Sequence, residues 1–125
     1  MKMDWNGIVL WTKAYHFDEI ISSGSSLVAS EDGGFIISGT GRVLPNTKIK
    51  SFVYKIDSSG SFVWGVRSQD STGEMTSGRV LLTSSGDVYL GGYIRDPSTN
   101  KIQNFLLQLD SVGTIGWMKS YWISG

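Results

Sequence analysis

The chain has 125 residues, with 11 Lys+Arg against 11 Asp+Glu, one His and no Cys. Zero net charge supplies no basic face of the kind that nucleic acid or an anionic membrane requires. The missing Cys excludes disulfide scaffolds, thiolate zinc sites and thiol catalysis, and a single His excludes metal sites built on two or more histidines.

The first segment, residues 1–15, reads as a leading strand whose extended part covers residues 7–15. Met1–Gly7 carries an acid and turn residues where a signal peptide needs an apolar core, and no later run approaches the roughly 18 apolar residues of a membrane span. The segment contains Asp4-Trp-Asn-Gly7-Ile-Val-Leu-Trp11, and this D-x-x-G-x-x-x-W frame returns as Asp57, Gly60 and Trp64, then as Asp110, Gly113 and Trp117. Both spacings are 53 residues. The same offset relates Gly33 to Gly86, Gly39 to Gly92, Arg42 to Arg95, Lys48 to Lys101 and Phe52 to Phe105. The chain is an ungapped internal repeat.

Residues 16–68 form the first complete unit. Its expected strands are Leu27–Ser30, Gly34–Thr40, Ser51–Ile56 and Phe62–Arg67, separated by turn residues. Phe52, Tyr54 and Ile56 share one face by a period of two. Asp57-Ser-Ser-Gly60 suits a type I turn, because the carboxylate can accept a backbone N–H and Gly tolerates the exit geometry. Residues 69–125 form the second unit, with strands Val80–Thr83, Asp87–Tyr93, Asn104–Leu109 and Gly113–Tyr121. No stretch sustains a helical period. The 16 glycines, nearly double the ~7% average, belong to the repeated turns and strand ends.

Four antiparallel strands in a repeat of roughly 50 residues are the unit of a β-propeller blade, and strands apolar on both sides, such as Phe105-Leu106-Leu107, suit a sheet covered on two faces. A β-sandwich or β-prism explains the ungapped period less directly. The motifs Asp32-Gly-Gly-Phe-Ile-Ile-Ser-Gly39 and Phe52-Val-Tyr-Lys-Ile-Asp57-Ser-Ser-Gly60-Ser-Phe-Val-Trp64 resemble the loosely defined propeller repeats of long bacterial and eukaryotic repeat proteins, often surface or secreted and of unknown role. The resemblance covers essentially the whole chain and implies a blade, not an activity. The repeat is also similar to the tryptophan-docking repeats of quinone-dependent propeller dehydrogenases. Their Asp-to-Gly spacing is one residue longer, and their quinone and calcium ligands have no counterparts here, so that activity does not carry over. The expected fold class is therefore all-β: two four-stranded propeller-type blades plus an extra N-terminal strand, completed into a ring by self-association of two to four chains. Residues 7–15 and 113–121 compete as the strand completing the terminal blade.

Candidate functional residues follow from departures from the repeat and from its polar positions. Trp5 stands where the other copies have Ser58 and Ser111, and Trp122 also breaks the pattern. With Ile8 and Leu10 they are candidate oligomer contacts, since Trp is enriched in interface cores. Arg42, Lys48, Arg95 and Lys101 flank the second-to-third strand connections and are candidate contacts for an anionic or carbohydrate ligand. His16, beside Asp18 and Glu19, is the single neutral-pH base and has no nucleophile motif. Asp70–Glu74 and Asp96–Asn100 are too sparse for a calcium loop. The expected function is a non-enzymatic structural or interaction module. A lectin-like multivalent binder comes second and a hydrolase third. No cofactor, metal, nucleic acid or membrane partner is expected.

Overall fold

Alternating apolar residues punctuated by Gly-containing turns leave the chain one economical option, a run of hairpins. The computed structural model describes residues 1–15, 20–43, 48–68 and 73–122. Among them there are ten strands and no helix: β1 Lys2–Met3, β2 Val9–Trp11, β3 Ile20–Ala29, β4 Phe35–Val43, β5 Ile49–Ile56, β6 Phe62–Arg67, β7 Glu74–Leu82, β8 Val88–Arg95, β9 Ile102–Leu109 and β10 Ile115–Tyr121. β3-β4-β5-β6 form one four-stranded antiparallel sheet and β7-β8-β9-β10 a second, each in simple sequential order. β1 and β2 make a small separate hairpin. The protein is all-β.

The 53-residue repeat holds at the level of backbone pairing. In the first sheet Phe35 pairs with Ile56, and Ile56 with Phe62; in the second Val88 pairs with Leu109, and Leu109 with Ile115. The hairpin shares this register. Met3 pairs with Val9 and Lys2 with Trp11, matching Ile56–Phe62 and Lys55–Trp64. The expected leading strand over residues 7–15 is thus a strand only at Val9–Trp11, and it is not alone, because Lys2–Met3 supplies its third-strand neighbour.

The turns form as their residues dictate. Gly60 N–H donates to the Asp57 carbonyl at 3.0 Å, and the Asp57 carboxylate accepts the N–H groups of Ser59 and Ser61 at 2.9 Å each. Gly60 has φ +83°, the left-handed region where a side chain is strained. Asp4 and Asp110 organise their turns with the same pairs of N–H bonds.

β3 and β7 begin seven and six residues before their expected starts, through polar, small-residue segments. Their early halves pair with the Gly-rich ends of β4 and β8. Gly92 is glycine for a local reason: a Cβ there would collide with the Thr76 carbonyl oxygen and come within 2.8 Å of the Phe105 ring. The core between the sheets contains Ile36 and Val53 from the first sheet, and Met75, Val80, Val88, Leu90, Phe105, Leu107 and Leu109 from the second. A smaller cluster of Phe52, Tyr54 and Ile56 lies on the opposite face of the first sheet, packed with Trp11, Tyr15, Phe35 and Ile37.

Candidate interaction surface

Each four-stranded sheet has two unlike faces, and the repeat defines both. One face carries the row Val28, Ile36, Lys55, Trp64 in the first sheet and Leu81, Tyr89, Gln108, Trp117 in the second, each row running across four paired strands. We call this the tryptophan face. The other carries Leu27, Ile37 and Tyr54 in the first sheet and Val80, Leu90 and Leu107 in the second. The two sheets pack with the tryptophan face of the first on the opposite face of the second, so they are stacked head to tail.

The joint of this stack is a tryptophan laid over a turn glycine. Trp64, on β6, lies over Gly113, where a Cβ would come within 2.7 Å of the indole. Trp11, on β2, reaches Gly60 with the outer edge of its indole, 3.0 Å from that Cβ position, beside the Tyr15 hydroxyl at 2.9 Å. The Trp11 indole N–H donates to the Ser58 carbonyl at 3.1 Å, Lys2 Nζ donates to the same oxygen at 3.2 Å, and the Tyr15 hydroxyl donates to the Gly60 carbonyl at 2.5 Å. The hairpin therefore takes the place on the first sheet that β5 and β6 take on the second. The Trp64 indole N–H is buried without a partner among the described residues. Tyr15 packs 5.6 Å from Tyr54, and burial raises the hydroxyl pKa of both tyrosines, with the Asp57 charge adding to the rise at Tyr15.

The third member of the series is open. Trp117, on β10, is 36% exposed, and no described turn lies over it. Its ring meets Tyr89 edge-on at 6.0 Å and carries the Lys119 ammonium 5.2 Å from its centre. Leu81, on the same face, is 64% exposed. Sequence reasoning did not name Leu81, Tyr89 and Leu106 as candidate contacts. Their signal was the apolar residues on both parities of β7, β8 and β9.

The expected oligomer contacts Trp5, Ile8, Leu10 and Trp122 are all exposed, Trp5 at 94%. Trp5 sits in the Asp4–Gly7 turn, Ile8 gives its N–H to the Asp4 carboxylate, and Leu10 lies on β2. Trp122 follows β10 directly. The first three are gathered on the hairpin. Trp122 and Trp117 share the other end of the stack.

The four basic candidates occupy the far ends of the strands, and the repeat does not treat them alike. Arg95 is held by Glu74 at 2.5 Å and also donates to Asn100 at 3.3 Å. Glu74 is opposite Arg95 across the β7–β8 ladder, where the first sheet has Ile21 opposite Arg42. The Arg95 hydrogen bond holds the Glu74 carboxyl below its ordinary pKa, aided by the Arg95 charge, the Ile49 N–H and the Arg42 charge. One nearly buried carboxylate thus faces arginines of both sheets. Arg42 is exposed beside a shallow groove lined by Ser22, Ser23, Thr40 and Ile49. Lys48 precedes β5, and Lys101 precedes β9, where it is exposed.

At the turn end of the joint, a cleft of about 230 Å³ lies between the sheets, lined by Asp32, Lys55, Trp64, Ser85 and Ser111 among others. Lys55 and Asp32, both from the first sheet, pair along its wall at 2.5 Å, and this bond, with the Ser30 hydroxyl and the Gly34 N–H, pulls the Asp32 carboxyl far below its usual range. Asp96 is a turn former. Its carboxylate accepts the Ser98 N–H at 2.8 Å and the Ser98 hydroxyl at 2.6 Å, which lowers its pKa to about 2. His16, Asp18, Glu19 and Asp70 lie outside the described residues. Among those that are described, no three His, Asp or Glu side chains converge as metal ligands do.

Compared with known proteins, the chain matches no family model and no curated sequence.

Proposed function

We propose that this chain is a non-enzymatic structural or interaction module. Its two sheets act as propeller-type blades stacked head to tail, and self-association extends the stack. The observation that carries the reading is Trp117. It repeats the pairing of Trp11 and Trp64 at the same 53-residue spacing, yet it stands on an open four-stranded face. Exposed apolar side chains grouped on one face, here Leu81 and Trp117 beside Tyr89 with Gln108 between them, mark association sites. The resemblance of the D-x-x-G-x-x-x-W frame to propeller repeats supports the same conclusion.

A ring of basic residues receiving a carbohydrate or anion is the weaker alternative, because Glu74 already engages Arg95. Solution mass by light scattering across micromolar to millimolar concentration tests the proposal. A mass of two to four chains is expected. A folded monomer throughout that range overturns it.

A further inference from the structure

We infer that the face of the first sheet now under the β1–β2 hairpin is the docking site for the Trp117 face of a second copy of this chain, and that the hairpin is its intramolecular stand-in. This rests on the self-association proposed above and names the two surfaces that meet. The occupant follows from continuity with the joint inside the molecule, which already consists of one tryptophan face on one opposite face. The two faces left over are the same pair: the row Leu81, Tyr89, Gln108, Trp117 on the second sheet, and Leu27, Ile37, Phe52, Tyr54 on the first.

The hairpin covers the latter face only in part. It caps the Gly60 turn with Trp11 and Tyr15, but its two short strands do not reach β3. A cavity of about 160 Å³ remains between Met1, Lys2 and Trp11 on one side and Leu27, Phe35 and Ile37 on the other. Leu27 stays 59% exposed, whereas its equivalent Val80, under a full sheet, is 4% exposed. A second copy's sheet would bury Leu27 as the first sheet buries Val80, and would put Trp117 over Gly60 in place of Trp11. The two surfaces differ, so the contact is heterologous. Such contacts extend or close into a ring rather than stopping at a two-fold pair.

The test is sedimentation equilibrium on the chain and four variants. Leu27→Lys and Leu81→Lys each alter a side chain exposed in the single chain, one on each face. Each alone is expected to leave a monomer whose circular dichroism and melting match the parent. Mixed in equal amounts they are expected to form a 1:1 pair and nothing larger, because each variant keeps the face the other has lost. Trp11→Ser, which releases the hairpin, is expected to tighten association by about ten-fold or more.

If the chain associates but Leu27→Lys does not weaken it, while Met3→Lys on the outer side of the hairpin does, this inference is wrong and self-association stands. If the parent and Trp11→Ser are both monomeric at every concentration, both ideas fall.

Discussion

The same residues of the repeat meet two different fates in one molecule. On the second sheet Val80, Val88, Leu90, Phe105, Leu107 and Leu109 form a closed surface, every one of them buried. On the first sheet their equivalents 53 residues earlier are Leu27, Phe35, Ile37, Phe52, Tyr54 and Ile56. Here the three on β5 are buried, Phe35 and Ile37 are half-buried and Leu27 is exposed. Backbone register is identical in the two sheets. Burial is therefore set by the neighbour, a four-stranded sheet in one case and a two-stranded hairpin in the other. Pleating decides which residues share a face, and stacking decides whether that face is dry.

Paired substitutions at equivalent positions test this contrast directly. The largest effect is expected at Leu90→Ala, which empties a fully enclosed site and should cost about 2–5 kcal/mol in urea denaturation. Ile37→Ala, its equivalent, should cost roughly half as much, because the site is already half open; equal losses would mean that the hairpin seals its face as well as a sheet does.

Next come the turn glycines. Gly7→Ala meets only the strain of a left-handed backbone, of order 1 kcal/mol, since nothing lies within 4 Å of the new methyl. Gly113→Ala meets that strain and the Trp64 indole at 2.7 Å, so its loss should exceed that of Gly7→Ala by about 1–3 kcal/mol.

A smaller effect follows from the charges. Because Arg95 lowers the Glu74 pKa in the folded state, the pair contributes stability above the ordinary carboxylate value, and that contribution is lost as pH falls through the lowered value. Melting from pH 6 down to pH 3 should show a decline that Glu74→Gln makes shallower, by under about 1 kcal/mol. Position 21, on β3 opposite Arg42, has Ile where β7 has Glu74, so Ile21→Ala should leave the acid profile unchanged in shape. The smallest effect is expected at Trp5→Ser, which should stay within about 0.5 kcal/mol of the parent, because the side chain is 94% exposed.

Much of this was legible in the residues. The D-x-x-G turns formed where their Asp and Gly stand, and β6 spans Phe62–Arg67 as its alternation indicates. β3 and β7 were legible only in their later halves. Residues such as Ser22, Ser23 and Gly24 carry no apolar alternation, and they become strand because β4 offers them a ladder. The β1 strand was hidden for a related reason. Two residues show no period, and Lys2–Met3 is recognisable only through the partner it finds across the Asp4–Gly7 turn.

Of the candidate contacts, Trp5 and Trp122 were found as breaks in the repeat, and Ile8 and Leu10 through the apolar run of the leading strand. Leu81, Tyr89 and Leu106 were missed because they do not break it. Their apolar character matches that of Val28, Ile36 and Val53; the joint buries the last two and packs against Val28. The ion pair of Arg95 with Glu74 was invisible for the converse reason: it lies at a position where the repeat is not obeyed on the partner strand.

The amino-acid sequence by itself settled the period, the turns and the two parities of the apolar strands, because these depend on residues close together along the chain or at a fixed offset. It could not say which face each sheet would turn toward the other. That outcome belongs to the tertiary structure, where a tryptophan ring needs a glycine turn to lie on. The chain provides that seat for Trp11 and Trp64, while Trp117 stands uncovered.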